Sequence, residues 1–97
     1  MTKLERNFLE FHRNNPIVYE LFEKFTNEVL AAGLPRYSSD AILHRIRWHT
    51  QVTLRGRGTY KINNEHSAYY ARMWLDNHPH HPDFFETRAL ACERRAA

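Results

Sequence analysis

Gln51-Val52-Thr53-Leu54-Arg55-Gly56-Arg57-Gly58-Thr59-Tyr60-Lys61-Ile62 is the stretch on which the reading of the fold turns. In its first half Val52 and Leu54 alternate with Gln51, Thr53 and Arg55; in its second, Tyr60 and Ile62 alternate with Thr59, Lys61 and Asn63. A period of two places successive side chains on opposite faces of a strand, and the two Gly between the halves are free to take positive φ in a tight turn. The pattern predicts a β-hairpin over 51–62 in a chain whose other segments have helical spacing.

Upstream, Ser38-Ser39-Asp40 offers side-chain oxygens to cap a helix over about 39–49, with Ala41, Ile42, Leu43, Ile46 and Trp48 supplying its buried face. Before it, Val18, Leu21, Phe22, Phe25, Val29 and Leu30 recur at steps of three and four, the strongest helical pattern in the chain. Pro16 suits the first position of that helix, Asn15 its cap, and Gly33 with Pro35 its end, so it spans about 16–32. Leu4, Phe8, Leu9 and Phe11 or His12 give a first short helix over about 3–13. Downstream, Asn63 or Asn64 caps a helix reaching about Asn77, followed by the break His78-Pro79-His80-His81-Pro82 and a last short helix from Asp83 to Arg88 that tucks two Phe onto the domain. Residues 91–97 are expected to fray. The core expected from these faces is Val18, Leu21, Phe22, Phe25, Val29, Ile42, Ile46, Val52, Leu54, Ile62, Ala71, Trp74, Leu75 and Phe85. A helix followed by a hairpin, with two helices before it, is the element order of a winged-helix or helix-turn-helix module, so the expected class is mainly α with one β-hairpin.

With 97 residues there is chain for one domain and one core. Six Phe, five Tyr and two Trp give that small core bulky side chains, while three Gly and four Pro argue against a disordered chain. Cys92 is the one cysteine and has no disulfide partner within the chain, no apolar run approaches the ~20 residues of a membrane span, and the start has no apolar secretory stretch. The expectation is a soluble cytoplasmic protein.

The net charge of +3 is unevenly spread. Residues 1–35 carry four basic and five acidic side chains, residues 36–72 seven and two, and residues 73–97 three and four. The middle segment holds Arg36, Arg45, Arg47, Arg55, Arg57, Lys61 and Arg72, with His44, His49 and His66 among them. Such a focus points to an anionic partner. Arg grips phosphate or reads guanine bidentately, and Gly on either side of Arg57 lets a hairpin tip approach a sugar-phosphate chain. The expected DNA contacts are His44, Arg45, Arg47, Arg55, Arg57, Lys61 and Arg72. The competing reading is a soluble basic turn. A variant uses the later helix, where Asn64, Ser67, Tyr70 or Arg72 would face bases or phosphates, although the Asn pair is explained by capping and the Tyr pair by packing. Helix-turn-helix proteins commonly dimerise, which leaves a homodimer open.

His78-Pro79-His80-His81 invites a metal reading, yet Pro79 hinders three imidazoles from converging, and no Cys pair or helical His-x-x-x-His accompanies it. An exposed loop is the expected role, and no metal or other cofactor is expected. Gly56-Arg57-Gly58 is too short for a nucleotide-binding loop, and no nucleophile stands beside a base in a pattern that argues catalysis. The chain is not expected to be an enzyme.

Tyr37-Ser38-Ser39-Asp40-Ala41-Ile42-Leu43-His44-Arg45-Ile46-Arg47-Trp48, Tyr60-Lys61-Ile62-Asn63-Asn64, Tyr69-Tyr70-Ala71-Arg72, His78-Pro79 and Phe84-Phe85-Glu86-Thr87-Arg88 together resemble a group of small uncharacterised proteins of bacteriophages and prophages. The resemblance covers nearly the whole chain and implies a setting, a phage-derived protein in a bacterial cytoplasm, with no mechanism attached. Two functions follow as expectations: a small DNA-binding protein, such as a transcriptional regulator, or an inhibitor that binds a host protein or defence complex. The second would use exposed aromatic and Arg anchors, and Tyr37, Trp48, Tyr60, Tyr69, Tyr70 and Trp74 exceed what so short a chain buries in full.

Overall fold

The computed structural model describes residues 2–55 and 62–86. Four helices carry the architecture: α1 (Lys3–Asn14), α2 (Pro16–Ala31), α3 (Ser39–Trp48) and α4 (Ser67–Asn77). Thr2 caps α1 by accepting from the Glu5 amide at 3.1 Å, and Ser38 caps α3 by accepting from the Ala41 amide at 3.3 Å. Pro16 opens α2 as its spacing implies, but Asn15 caps nothing with its side chain. Instead its amide and its side-chain Nδ2 both donate to the Phe11 carbonyl, closing α1. At the far end of α2 the Gly33 amide donates to Leu30 and the Leu34 amide to Val29. That pair of bonds, with Gly33 at φ 88°, satisfies the last carbonyls in the left-handed conformation that Gly adopts without strain.

The predicted hairpin, and with it the winged-helix or helix-turn-helix class, is overturned. Among the described residues there is no strand, and the fold is all-helical with one isolated bridge between Tyr37 and Phe85. Gln51 and Val52, expected in the first strand, lie in a π-helical turn over His49–Thr53 that continues α3. The Leu54 amide reaches back five residues to the His49 carbonyl at 3.0 Å, and the Thr50 hydroxyl donates to the Arg47 carbonyl at 3.0 Å. The stretch thus continues the helical run of α3 with one added residue in its last turn, where the Thr50 hydroxyl shares a helix carbonyl, and its alternation does not make a strand. Val52 is 53% exposed and Leu54 also faces solvent, so neither belongs to the core expected of them. Arg55 ends the turn at φ 53°. The hairpin's tip and most of its second half, Gly56 through Lys61, lie outside the described residues. The link from α2 to α3 runs over residues 32–38 and pairs with the C-terminal segment, the Tyr37 amide donating to the Phe84 carbonyl at 3.0 Å.

The last short helix is not formed over its described part: residues 82–86 make a turn and then an extended bridge, while Thr87 and Arg88 lie outside the described residues. The two Phe nevertheless bury as expected. The core comprises Val18, Leu21, Phe22, Phe25, Ile42, Ile46, Ile62, Ala71, Trp74 and Phe85 from the expected set, joined by Phe8, Leu43, Tyr70 and Phe84. Val29 and Leu75 pack against its edge. α3 packs on both α2 and α4, α1 on α2, and the Asn77 amide side chain donates to the Tyr19 hydroxyl at 2.8 Å, tying α4 to α2.

One core group carries a pH signature. His66, in the 3-10 turn Asn64–His66 that leads into α4, is 4% exposed, and neither ring nitrogen has a hydrogen-bond partner among the described residues. Phe8 meets it edge-on at 5.5 Å and Phe11 lies at 5.8 Å. Burial pushes its pKa below the usual 6.5, and the nearby Glu65 carboxylate acts in the opposite direction. The unfolded chain therefore takes up a proton near pH 6.5 that the folded chain refuses, so stability is present above that pH and declines as pH falls below it. The melting temperature is expected to drop between pH 7.5 and pH 5.5 in the wild type and to drop less in His66→Leu. Equal pH dependence of the two proteins would remove His66 as the cause.

Candidate nucleic-acid interface

From Ala41 to Asn64 the chain contains no acidic residue, and it carries Arg45, Arg47, Arg55, Arg57 and Lys61. The structure uses this segment in two ways. Ile42, Leu43, Ile46 and Thr50 turn inward, while His44, Arg45, Trp48, Gln51, Val52 and Arg55 remain exposed. Residues three and four apart adjoin on a helix, so this exposed set forms one continuous strip along α3, its π-helical turn and the following bend.

The expected contact residues divide accordingly. His44 and Arg45 are exposed on α3, and Arg55 is exposed where the helical run ends. Arg47 is not free for a ligand: it is half-buried, and its Nη2 donates to the Ile62 carbonyl at 2.6 Å. That charge-assisted bond holds the returning chain against α3, a structural duty that sequence alone does not separate from binding. Arg72 is exposed on α4, which turns Tyr70, Ala71 and Trp74 inward. Arg57 and Lys61 lie outside the described residues. In the variant that reads with the later helix, Tyr70 is wholly buried and Asn63, not Asn64, caps the turn by accepting from the Glu65 amide at 2.9 Å.

Trp48, expected on the buried face of α3, is exposed. Two residues from Ile46 it lies about 200° around the helix, opposite the core-facing row. The Arg45 guanidinium lies 4.9 Å from its ring centre and 4.4 Å from the ring centre of Phe25, so one cation rests on a core aromatic and on a surface one together. Sequence spacing holds the signal for this pair, since Arg45 and Trp48 stand three apart. Beside them, between α2 and α3, runs a shallow groove of about 270 Å³ whose lining includes Val29, Leu34, Tyr37 and Ala41, with Glu28 at one side.

The His cluster divides as well. His78 stacks on Trp74 with ring centres 4.1 Å apart, its Nδ1 lies 2.8 Å from the Trp74 carbonyl, and its Nε2 lies 3.8 Å from Glu23. These contacts make His78 a closing element of α4, with Nδ1 donating to the carbonyl. His80 and His81 are exposed, and among the described residues no three His, Cys, Asp or Glu side chains gather as a metal site would need. No helix among the described residues is long and apolar enough to cross a membrane. No protein-family model, curated protein or solved structure matches this chain.

Proposed function

We propose that this chain binds nucleic acid through the exposed strip of α3 and its π-helical continuation. The observation that carries the reading is the acid-free run from Ala41 to Asn64, whose outward side presents His44, Arg45, Gln51 and Arg55 along one line. A polyanion gains from each cation on such a line through release of its own counterions, with no acidic side chain inside the run to oppose it. A hairpin wing plays no part. A regulatory role on DNA in a phage setting is the biological form of this reading.

Fluorescence anisotropy of a labelled mixed-sequence duplex and of its separated strands, titrated at two salt concentrations, tests it. Binding is expected to weaken steeply as salt rises. Arg45→Ala combined with Arg55→Ala is expected to lower the logarithmic salt slope by about 0.7–0.9 for each phosphate that is no longer neutralised. No binding at low salt, or an unchanged slope in the double variant, would overturn the reading.

A protein partner is the second reading, favoured by the apolar groove where Leu34 and Tyr37 stand exposed next to Arg45 and Trp48. Aromatic and Arg side chains are the usual anchors of such contacts. It is the reading that stands if no nucleic acid binds. The phage-encoded inhibitor of a host protein is its biological form.

A further inference from the structure

A helix that only grips phosphates has no use for a large bare aromatic in the middle of its basic strip. Trp48 is 52% exposed, whereas Trp74, the other tryptophan of the chain, is 0% exposed. Half of an indole left in water forgoes stabilisation that the core would have supplied. Arg45 backs the indole and is itself seated on buried Phe25, so the ring is steadied by a cation that the core holds in place. Steadying an exposed aromatic in advance lowers the ordering cost of any flat group that stacks on it.

In a duplex each base face is covered by its neighbours, and an indole gains access only where bases are unpaired. Proteins that hold single strands join a basic track for the backbone to aromatic faces for the bases. Here the track is His44, Arg45 and Arg55, the aromatic is Trp48, and Gln51 beside it offers a donor and an acceptor to a base edge. A protein partner would also use an exposed Trp, but the lack of acidic side chains from Ala41 to Asn64 matches a polyanion better than a mixed-charge protein surface.

We propose that Trp48, steadied by Arg45, is a stacking platform for an unpaired base, and that the chain prefers single-stranded nucleic acid to duplex; this rests on the nucleic-acid reading above. The shared chemistry is an unpaired base on a phosphate backbone, present in DNA and RNA alike.

The test titrates the full chain with oligothymidylate, with oligouridylate of the same length and with a duplex of that length, following intrinsic tryptophan emission and anisotropy together. Single strands are expected to quench the emission. In Trp48→Phe, where Trp74 alone emits, they are expected to leave it unchanged. Trp48→Ala is expected to weaken single-strand binding about tenfold and to alter duplex binding by less than about twofold, because the variant cannot stack on a base while its cations stay in place. Its melting temperature should match the wild type, since the side chain lies at the surface. Binding of all probes with no quenching, or equal weakening on single strand and duplex in Trp48→Ala, would overturn the platform while leaving the nucleic-acid reading intact. Binding of no probe would overturn both. A difference between the thymidylate and uridylate arms reports whether the strip favours the DNA or the RNA strand, sugar and C5-methyl group taken together.

Discussion

Truncating Trp74 to Ala is expected to destabilise the protein by about 3–5 kcal/mol, most of the stability available to a domain of this size. The side chain is wholly enclosed and sits at the meeting point of α4 and the C-terminal segment. His78 stacks on it, and Phe84 and Phe85 meet it at 5.3 and 5.4 Å. Removing the indole leaves a cavity that three rings line and that helix packing cannot close, so the transfer and cavity penalties add. The bridge between Tyr37 and Phe85 rests on the same cluster, and the loop leading into α3 should loosen with it. Trp74→Phe should be far milder, because it keeps most of the ring packing and removes an indole N–H that is buried without a partner among the described residues. Urea and thermal melts followed by circular dichroism measure both variants. A shift for Trp74→Ala below about 1 kcal/mol would mean that the cluster is not the keystone of this end of the fold.

Phe8→Ala is the second large effect, again about 3–5 kcal/mol, with a distinct spatial signature. Phe8 is the one fully buried residue of α1. Its ring meets Tyr70 edge-on at 4.8 Å, stacks on Tyr69 at 5.2 Å and lies edge to face with His66 at 5.5 Å. A helix of 12 residues is marginal alone in water, so α1 depends on this anchor for its order. Hydrogen exchange should show protection falling first along α1, with α2 and α3 retaining theirs while the variant stays folded. A uniform fall across all four helices would show instead that α1 is an inseparable part of one cooperative unit.

The contrast between Phe8 and Val52 shows how much of the fold is legible in the sequence. Helices α1 to α4 begin and end within a residue or a few of their expected bounds, because capping side chains, Pro16 and Gly33 act within one turn of the chain and leave local marks. Val52 and Leu54 mislead because alternation over so few residues fits either a strand or the exposed side of a helix. What settles the matter is whether another strand stands ready to pair, a nonlocal question. Phe8, Leu43 and Phe84 stand on the apolar faces that the spacing marks, and Tyr70 is a packing candidate in it, but how deeply each of them enters the core depends on what packs across from its element.

The candidate site is legible in charge but not in geometry. The focus of Arg residues in the middle of the chain is plain, and His44, Arg45 and Arg55 do face outward. Arg47 is the instructive exception: four residues after Leu43 and three before Thr50, it stands at the edge of the core-facing row, a difference from Arg45 that the spacing carries, although its partner is not in the spacing. A separation of two positions turns one guanidinium onto Phe25 and Trp48 and sends the other to the Ile62 carbonyl, fifteen residues on.

By itself, then, the sequence determined where α1 to α4 lie, the Ser38 cap of α3, the Pro16 start and Gly33 end of α2, the aromatic character of the core and the sign of the charge on its central segment, all consequences of side chains acting on near neighbours. Tertiary structure alone decided that residues 49–53 stay helical, that Arg47 is a strut while Arg45 is a surface group, and that Trp48 stands in water while Trp74 does not. The physical reason is that burial and hydrogen-bond partnership depend on which surfaces meet across the fold, and those meetings join residues far apart in the chain.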